Sequence, residues 1–489
     1  MDWLRSTVRS AIFLLTLAGC AFSVEASSPD KSEGLPTRPA ASPMTAVRSS
    51  LERLLDTRPL GPTATYERLG LQMGPAVRSF YSTNAYAARW TQDSGWNPQA
   101  KEALQLLGRA AEFGLVREAY AWQRLLAMPD SMQRPAARGQ QLATCELHLT
   151  DALVRYLYHL RQGRLQPGTL EPAQPDSLRS LQTADLLHQA LNNSDLTAAF
   201  LQQQPKHLAY RLLQTSWSRA LRASAEDSLC LMQDTVAGFQ RVAINLERMR
   251  WEAATDSEYA VVNIPAYRLQ IIKKGKVLQT HRVVVGKPDL PTPILSSKII
   301  VFVTAPEWRV PYSIAVREFL PELQKDPGYL YDNRYRLYDG RGRLINPWHV
   351  NWARVTPETF SYAIRQRAGA TNALGNVVFY FPNQEKVFLH DTPARTAFTR
   401  TERAISHGCV RVEKPLKLAE YLLRREGKAK VIREMYDSVE ARDKHRFDLT
   451  VGLPIYLRYY TCETDNGQLR FLPDIYQQDA ALLSAFFGR

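Results

Sequence analysis

The sequence predicts an α+β chain: an all-helical N-terminal domain, then a mostly-β domain into which a lid subdomain is inserted. Three observations predict it. From Thr45 to about Arg250 apolar residues recur at three- and four-residue spacing. Near Tyr259 the period changes to short runs rich in Val and Ile. Between Pro306 and Asn372 the strand pattern is interrupted by a stretch carrying Trp308, Pro311, Pro321, Pro327, Trp348 and Trp352. A chain of 489 residues also exceeds what one ordinary core fills, so two or more domains are expected.

The N-terminus, MDWLRSTVRSAIFLLTLAGCAFSVEASS, sets Arg5 and Arg9 ahead of a short apolar run from Ala11 to about Ala18. That run is too short to span a bilayer and ends in small residues, which is the pattern of an export signal over residues 1–26. "VEA" before Ser27 reads as an ordinary cleavage site, whereas "LAGC" at Leu17 to Cys20 resembles a bacterial lipoprotein box. On the second reading the signal is residues 1–19 and Cys20 is a candidate for lipidation. Either way the expected location is the periplasm or cell envelope, with a lipid on Cys20 as the candidate outer-membrane anchor. Residues 27–44, rich in Ser, Pro, Ala and charge, cannot bury a core and read as a tether.

Residues 45–252 form the predicted helical domain, through segments such as AVRSSLERLL, PQAKEALQLLGRAAEFGL, LATCELHLTDALVRYLYHLRQGRL and TVAGFQRVAINLERMRW, with stops at Gly114, Gly163 and Pro167. Residues 253–465 form the predicted β domain. Its strands are read in YAVVNIPAYRLQIIKKGKVLQTHRVVVGK, with a turn at Lys274-Gly275, and in KIIVFV, GNVVFYF and KVFLH; one helix follows from Pro415 to about Glu426. Residues 306–372 are read as the lid, because a structureless stretch of that length does not fit inside a compact domain. Its tryptophans, Trp308, Trp348 and Trp352, read as core. Residues 466–489 complete a hairpin turning at Asp465-Asn466-Gly467 and end in a tail.

With 45% apolar and 22% charged residues the composition is that of a globular protein, and a net charge of +14 favours anionic partners. No dense Lys/Arg run, zinc-finger spacing or RNA-binding aromatic motif is present, so nucleic acid is not an expected partner. Beyond Cys20 the cysteines are Cys145, Cys230, Cys409 and Cys462, with no CxxC pair. Neither a disulfide framework nor a structural zinc site is suggested, and Cys145, Cys230 and Cys462 read as packing residues.

Cys409 stands apart through VFLHDTPARTAFTRTERAISHGCVRVEKP, Val387 to Pro415. A thiol attacks as thiolate and needs a base, which His390 at a strand end offers; Gly408 lets backbone approach a ligand, and N–H groups at Gly408 and Cys409 suit an oxyanion. A zinc reading takes His390, Asp391, His407 and Cys409, though Cys409 lacks paired-ligand spacing and no HExxH occurs. A packed thiol beside two ordinary histidines is the third reading. Spacing alone leaves all three open.

HDTP at His390 to Pro393 followed by SHGCVRV at Ser406 to Val412 resembles the signature of the L,D-transpeptidase catalytic domain of the YkuD type. VVVGKPDLPTPILSSKI, PEWRVPYSI, RQRAGATNALGNVVFYFPN, SFYSTNAYAARW and ELHLTDALVRYLYHLRQGRLQP resemble the large periplasmic branch of that family, which has a helical scaffold domain and forms 3-3 crosslinks in peptidoglycan. The similarity runs from about Phe80 to Tyr476.

The resemblance implies Cys409 as nucleophile and His390 as general base, oriented by a group at Ser406 to Gly408. It implies supporting roles for Arg411, Gly408, His407 and Ser406, and a cleft lined by Phe388, Gly375, Asn376 and Trp308. It implies neither metal nor cofactor. The expected partners are peptidoglycan tetrapeptide stems as donor and acceptor, with other wall-synthesis enzymes as further candidates, and carbapenems as covalent inhibitors. Water, a free D-amino acid or a protein Lys are alternative acceptors, and a non-catalytic wall-binding scaffold is the alternative of another class. One departure is notable: Leu208 to Trp251 is too short for the peptidoglycan-binding module common in that branch.

Overall fold

The computed structural model describes residues 43–128, 138–173, 177–193, 195–226, 232–252 and 256–488. The expected export signal, Cys20, nearly all of the tether and Cys230 lie outside the described residues. Two compact units result: one comprises the described residues before Thr255 with Cys462–Arg470 and the residues from Asp479 on, the other Thr255–Thr461 with Phe471–Gln478.

The first unit is helical. Its principal helices are α1 (Pro43–Leu54), α2 (Arg138–Gln162), α3 (Leu208–Glu226) and α4 (Met232–Arg250). α2 is buried on nearly all sides, from Leu142 to Leu160. A helix buried this way must pair the polar groups it carries inward. Glu146 of α2 accepts from the backbone N–H groups of Arg89 (2.9 Å), Trp90 (2.8 Å) and Thr91 (2.6 Å) and from the Tyr81 hydroxyl (2.8 Å). Glu247 of α4 likewise accepts from the Leu165 N–H at 2.7 Å. Buried carboxylates thus tie off loops within this unit. Gly163 ends α2 with a φ of 92°, and a Cβ there would stand 2.5 Å from Glu247 Oε1. Cys145 and Cys462 are buried free thiols.

The C-terminus divides differently from the expected boundaries at 465 and 466. Strand Cys462–Asp465 and helix Asp479–Phe487 group with the helical unit, where Asp479 pairs with Arg248 of α4 at 2.6 Å and Phe487 packs edge-on to Phe239. The "tail" is an apolar helix that docks on the helical unit through Asp479, Leu482 and Phe486 and leaves its other side exposed.

The second unit is built on a nine-stranded sheet: β1 (Glu258–Asn263), β2 (Arg268–Lys273), β3 (Lys276–Gly286), β4 (Leu295–Thr304), β5 (Val377–Tyr380), β6 (Leu389–His390), β7 (Ala404–Ser406), β8 (Val410–Val412) and β9 (His445–Arg458). The order is β7-β3-β8-β6-β5-β4-β9-β1-β2, and a further pairing of β2 with β3 closes the sheet on itself, leaving few edges. β2 and β3 meet at the two-residue turn Lys274-Gly275, both at positive φ, as the sequence predicts. One face of the sheet carries the core, including Val285, Phe302, Phe379, Leu389, Val410 and Val412. Helix α5 (Pro415–Arg425) covers it with Leu418, Ala419, Leu422 and Leu423, and burial of each leucine stabilises by roughly 1.5–3 kcal/mol.

The insertion is a small subdomain with its own antiparallel sheet, in the order Trp308–Arg309, Ala363–Gln366, Tyr335–Tyr338, Leu344–Ile345. Its core includes Phe319, Leu323, Leu337, Trp352, Phe360 and Ile364. Trp352 is core and Trp308 packs half-buried against it, but Trp348 is 56% exposed, contrary to expectation. Its helix widens into a π turn over Ala315–Phe319 just before Pro321, which has no N–H to donate to the preceding turn.

Candidate active site

Two short strands place the thiol and the imidazole. β6 and β8 pair in parallel, Leu389 opposite Val410 and His390 opposite Arg411, with the Val410 N–H donating to the Phe388 carbonyl at 3.1 Å. Side chains alternate along a strand, so Leu389, Val410 and Val412 enter the core while Phe388, His390 and Arg411 take the other face; Cys409, just ahead of β8, is partly buried and packs at the edge of that core. Cys409, expected in a loop, is the residue that leads directly into β8. On β5 the register sets Val378 opposite His390, so Tyr380 joins the same face. The Phe388 ring lies between two others, 5.7 Å from Tyr380 and 5.6 Å edge-on to His390.

The proton on His390 is fixed by its partner. Nδ1 lies 2.6 Å from the Asp391 carbonyl oxygen, which can only accept, so Nδ1 carries the hydrogen and Nε2 keeps a free lone pair. Orientation therefore comes from the next backbone carbonyl, not from Ser406 to Gly408 as the resemblance implied. Burial, and next the Arg411 cation, push the imidazolium of His390 down to about 3, so the ring is neutral near pH 7. Burial pushes the Cys409 thiol up to about 11, against the smaller lowering effects of the Phe388 backbone and Arg411. At rest the pair is thiol and imidazole. No carboxylate pairs with Arg411 among the described residues, and its burial lowers the guanidinium below its usual range.

The loop before Cys409 is held from behind. Ser406 Oγ donates to the Cys409 carbonyl at 2.6 Å and accepts the Gly408 N–H at 3.3 Å. Thr292 Oγ1 donates to the Gly408 carbonyl at 2.7 Å and accepts the Gly286 N–H at 2.9 Å. Tyr476 completes the brace, donating to the Gly286 carbonyl at 2.6 Å and accepting the Thr292 N–H at 3.1 Å. Because Gly408 C=O and Cys409 N–H belong to one peptide plane, fixing the carbonyl on Thr292 turns the N–H the opposite way. That N–H has no protein acceptor among the described residues, whereas the Gly408 N–H is taken by Ser406. Of the two expected oxyanion donors, only Cys409 N–H is unused. Gly408 sits at φ 106°, a conformation that needs glycine.

The remaining predicted residues go elsewhere. Gly375, at φ 60°, lies so close to Asp391 that a Cβ would meet its side chain at 2.5 Å, and the Asn376 N–H donates to Asp391 Oδ2 at 2.8 Å. Asp391 is also paired with Arg395 at 2.7 Å. Gly375 and Asn376 thus hold the segment that bears His390, and no contact brings them to Cys409. His407 turns to the insertion and pairs with Glu318 of the π turn. Trp308 packs on Phe319 and Tyr335 of the lid. The four residues of the zinc reading therefore do not converge, since Asp391 and His407 face Arg395 and Glu318. Tyr380, Thr292 and Glu318 belong to the site and were not read from the sequence. Alternation in GNVVFYF could have found Tyr380; nothing local marks the other two.

Such a site suits acyl transfer: a nucleophile, a neutral base with a free lone pair, a backbone donor and an unpaired cation. Residues 75–216 match the family model described as Scaffold domain, and residues 257–440 match that of the L,D-transpeptidase catalytic domain, YkuD. A protein of Haemophilus influenzae described as "Putative L,D-transpeptidase" is 28% identical over 496 residues, covering 97% of this chain and 96% of that protein. Among solved structures, an L,D-transpeptidase from Mycobacterium smegmatis aligns at 13% identity and a TM-score of 0.19, over 41% of this chain and 58% of that one. L,D-transpeptidase 1 of Mycobacterium tuberculosis aligns at 15% identity and a TM-score of 0.16, over 42% of this chain and 62% of its own.

Proposed function

With residues 75–216 a Scaffold domain and residues 257–440 an L,D-transpeptidase catalytic domain of the YkuD type, we propose that the chain is a peptidoglycan L,D-transpeptidase that forms 3-3 crosslinks through a thioester on Cys409. The supporting observation is the parallel pairing of β6 with β8, which brings the segments bearing His390 and Cys409 together, with Arg411 acting on both groups and the imidazole neutral with its Nε2 unprotonated.

In this reading Cys409 Sγ attacks the carbonyl of the third, diamino-acid residue of a donor tetrapeptide, and the thiol proton passes to His390 Nε2. The Cys409 N–H stabilises the oxyanion, and Arg411 offers its unpaired charge to the substrate's terminal carboxylate. Collapse breaks the peptide bond; His390 returns the proton to the departing D-Ala amine, leaving the thioester. A side-chain amine of a second stem attacks the thioester, yields a proton to His390, and frees the thiol. The inserted subdomain, latched to His407 by Glu318, would exclude water so that the amine prevails. The export signal and the basic charge are consistent with work in the cell envelope on an anionic polymer. A lipid on Cys20 belongs to the same proposal.

Incubation of the mature protein with disaccharide-tetrapeptide, beside Cys409→Ala, tests it by mass spectrometry. A crosslinked dimer with loss of D-Ala, absent from the variant, is the expected result. Tripeptide alone would mean that water is the acceptor. No product and no carbapenem adduct would leave a non-catalytic wall-binding scaffold.

A further inference from the structure

The helical unit contains an open hollow of about 990 Å³ that the chemistry above does not use. Its wall runs from Arg161 at the end of α2, through the loop after Leu201, along the first turns of α3, to the hairpin turn at Gly467. Four cations line it, Arg161, Lys206, Arg211 and Arg219, and no Asp or Glu does. None of the four is paired with a carboxylate among the described residues. Other arginines of this unit do have carboxylate partners, as Arg109 and Arg222 have in Glu112. Unmatched like charges repel, so their concentration in one concavity is a cost that an anionic ligand would remove.

The rest of the polar lining is amide and hydroxyl, the latter from Tyr210, Thr215 and Ser216. Gln202 and Gln203 have no side-chain partner among the described residues, while Gln204 is held by the Tyr210 hydroxyl at 3.0 Å, itself braced by Arg250 at 3.1 Å. Amides both donate and accept, which suits ligands bearing amide and hydroxyl groups between their charges. The first turn of α3 adds the positive end of its dipole to the wall. Arg211 and Arg219 stand eight residues apart on α3, roughly 12 Å along its axis, so carboxylates spaced along a chain fit better than one compact anion.

We propose that this hollow is a second peptidoglycan site, which binds the carboxylates of a stem peptide through Arg211 and Arg219 and its amide and N-acetyl groups through the glutamines. The ligand's identity rests on the function proposed above. The site supplies wall retention to a chain in which α3 and α4 fill the stretch where a dedicated binding module would have to lie.

The test uses the full mature chain carrying Cys409→Ala, with and without Arg211→Glu/Arg219→Glu, and measures retention on purified sacculi and titration with disaccharide-tetrapeptide. Charge reversal should weaken sacculus retention about tenfold, and in the Cys409 protein should leave D-Ala release from soluble disaccharide-tetrapeptide within about twofold. Arg211→Gln/Arg219→Gln, a gentler change, should give an intermediate loss and guards against a folding defect. Unchanged retention in both variants overturns the proposal. So does equal competition by chitotetraose, which has no carboxylate, or retention only on phosphatidylglycerol vesicles, which would mark a membrane site. Absence of D-Ala release from every protein would sink the proposed function alone, because sacculus retention reads the hollow independently.

Discussion

Thr292 Oγ1 donates to the Gly408 carbonyl at 2.7 Å, and this bond sets the peptide plane so that the Cys409 N–H turns away from Thr292. Thr292→Val keeps the shape and removes the donor. The expected outcome is a fall in kcat of about 10²-fold with KM little changed, as for loss of a preorganised oxyanion donor, and recovery with Thr292→Ser. Steady-state D-Ala release checks both; a fall in KM and kcat that Ser does not rescue would contradict the brace.

Alkylation of Cys409 should be slow at neutral pH. With the thiol raised to about 11 by burial and His390 lowered to about 3, the pair stays uncharged between those values. The rate of iodoacetamide labelling should keep rising with pH past 9 instead of levelling near the ordinary thiol range of about 8.5. A plateau at neutral pH would indicate a resting thiolate–imidazolium pair.

His390 also links folding to acid. Its folded pKa is depressed, so its contribution is fully present above the unfolded value of about 6.5 and is lost as pH falls toward about 3. His390→Asn should flatten the pH dependence of thermal stability in that window and lower the acylation rate about 10²- to 10⁴-fold. Calorimetric scans from pH 7 to pH 3 make the comparison.

Gly375→Ala should destabilise the β unit by about 1–3 kcal/mol, because it places a Cβ in a left-handed conformation. That Cβ would also lie 2.5 Å from the side chain of Asp391. Urea titration measures the loss. Activity should fall as well, since Asp391 supplies the carbonyl that orients His390.

Glu318→Ala removes the contact between the inserted subdomain and His407. An exposed pair of this kind contributes only about 0–1 kcal/mol to stability. The expected change is functional: a larger share of tripeptide over crosslinked dimer when products are separated by chromatography. An unchanged ratio would show that the latch does not govern water access.

Much of the site was legible because its determinants are local. Apolar alternation around Leu389 and Val410 forces their neighbours His390, Phe388 and Arg411 onto the opposite face, and Gly408, next to Cys409, announces its positive φ. Residues whose role depends on a distant partner were not legible. Gly375 looked like a cleft residue but packs against Asp391, His407 looked like an orienting group but meets Glu318, and Trp348 looked like core but is exposed.

Sequence by itself determined the α+β division, the hairpin turns and the insertion, and it marked His390 and Cys409 as the candidates on which the proposed function rests, since each follows from periodicity, turn residues or a short ordered motif. Only the tertiary structure decided which carbonyl orients the imidazole, which N–H is left for an oxyanion, and which unit owns the C-terminal helix. Those choices depend on hydrogen-bond partners and buried surfaces contributed by residues up to hundreds of positions away, such as Arg248 with Asp479 and Thr292 with Gly408. Local pattern carries no record of them.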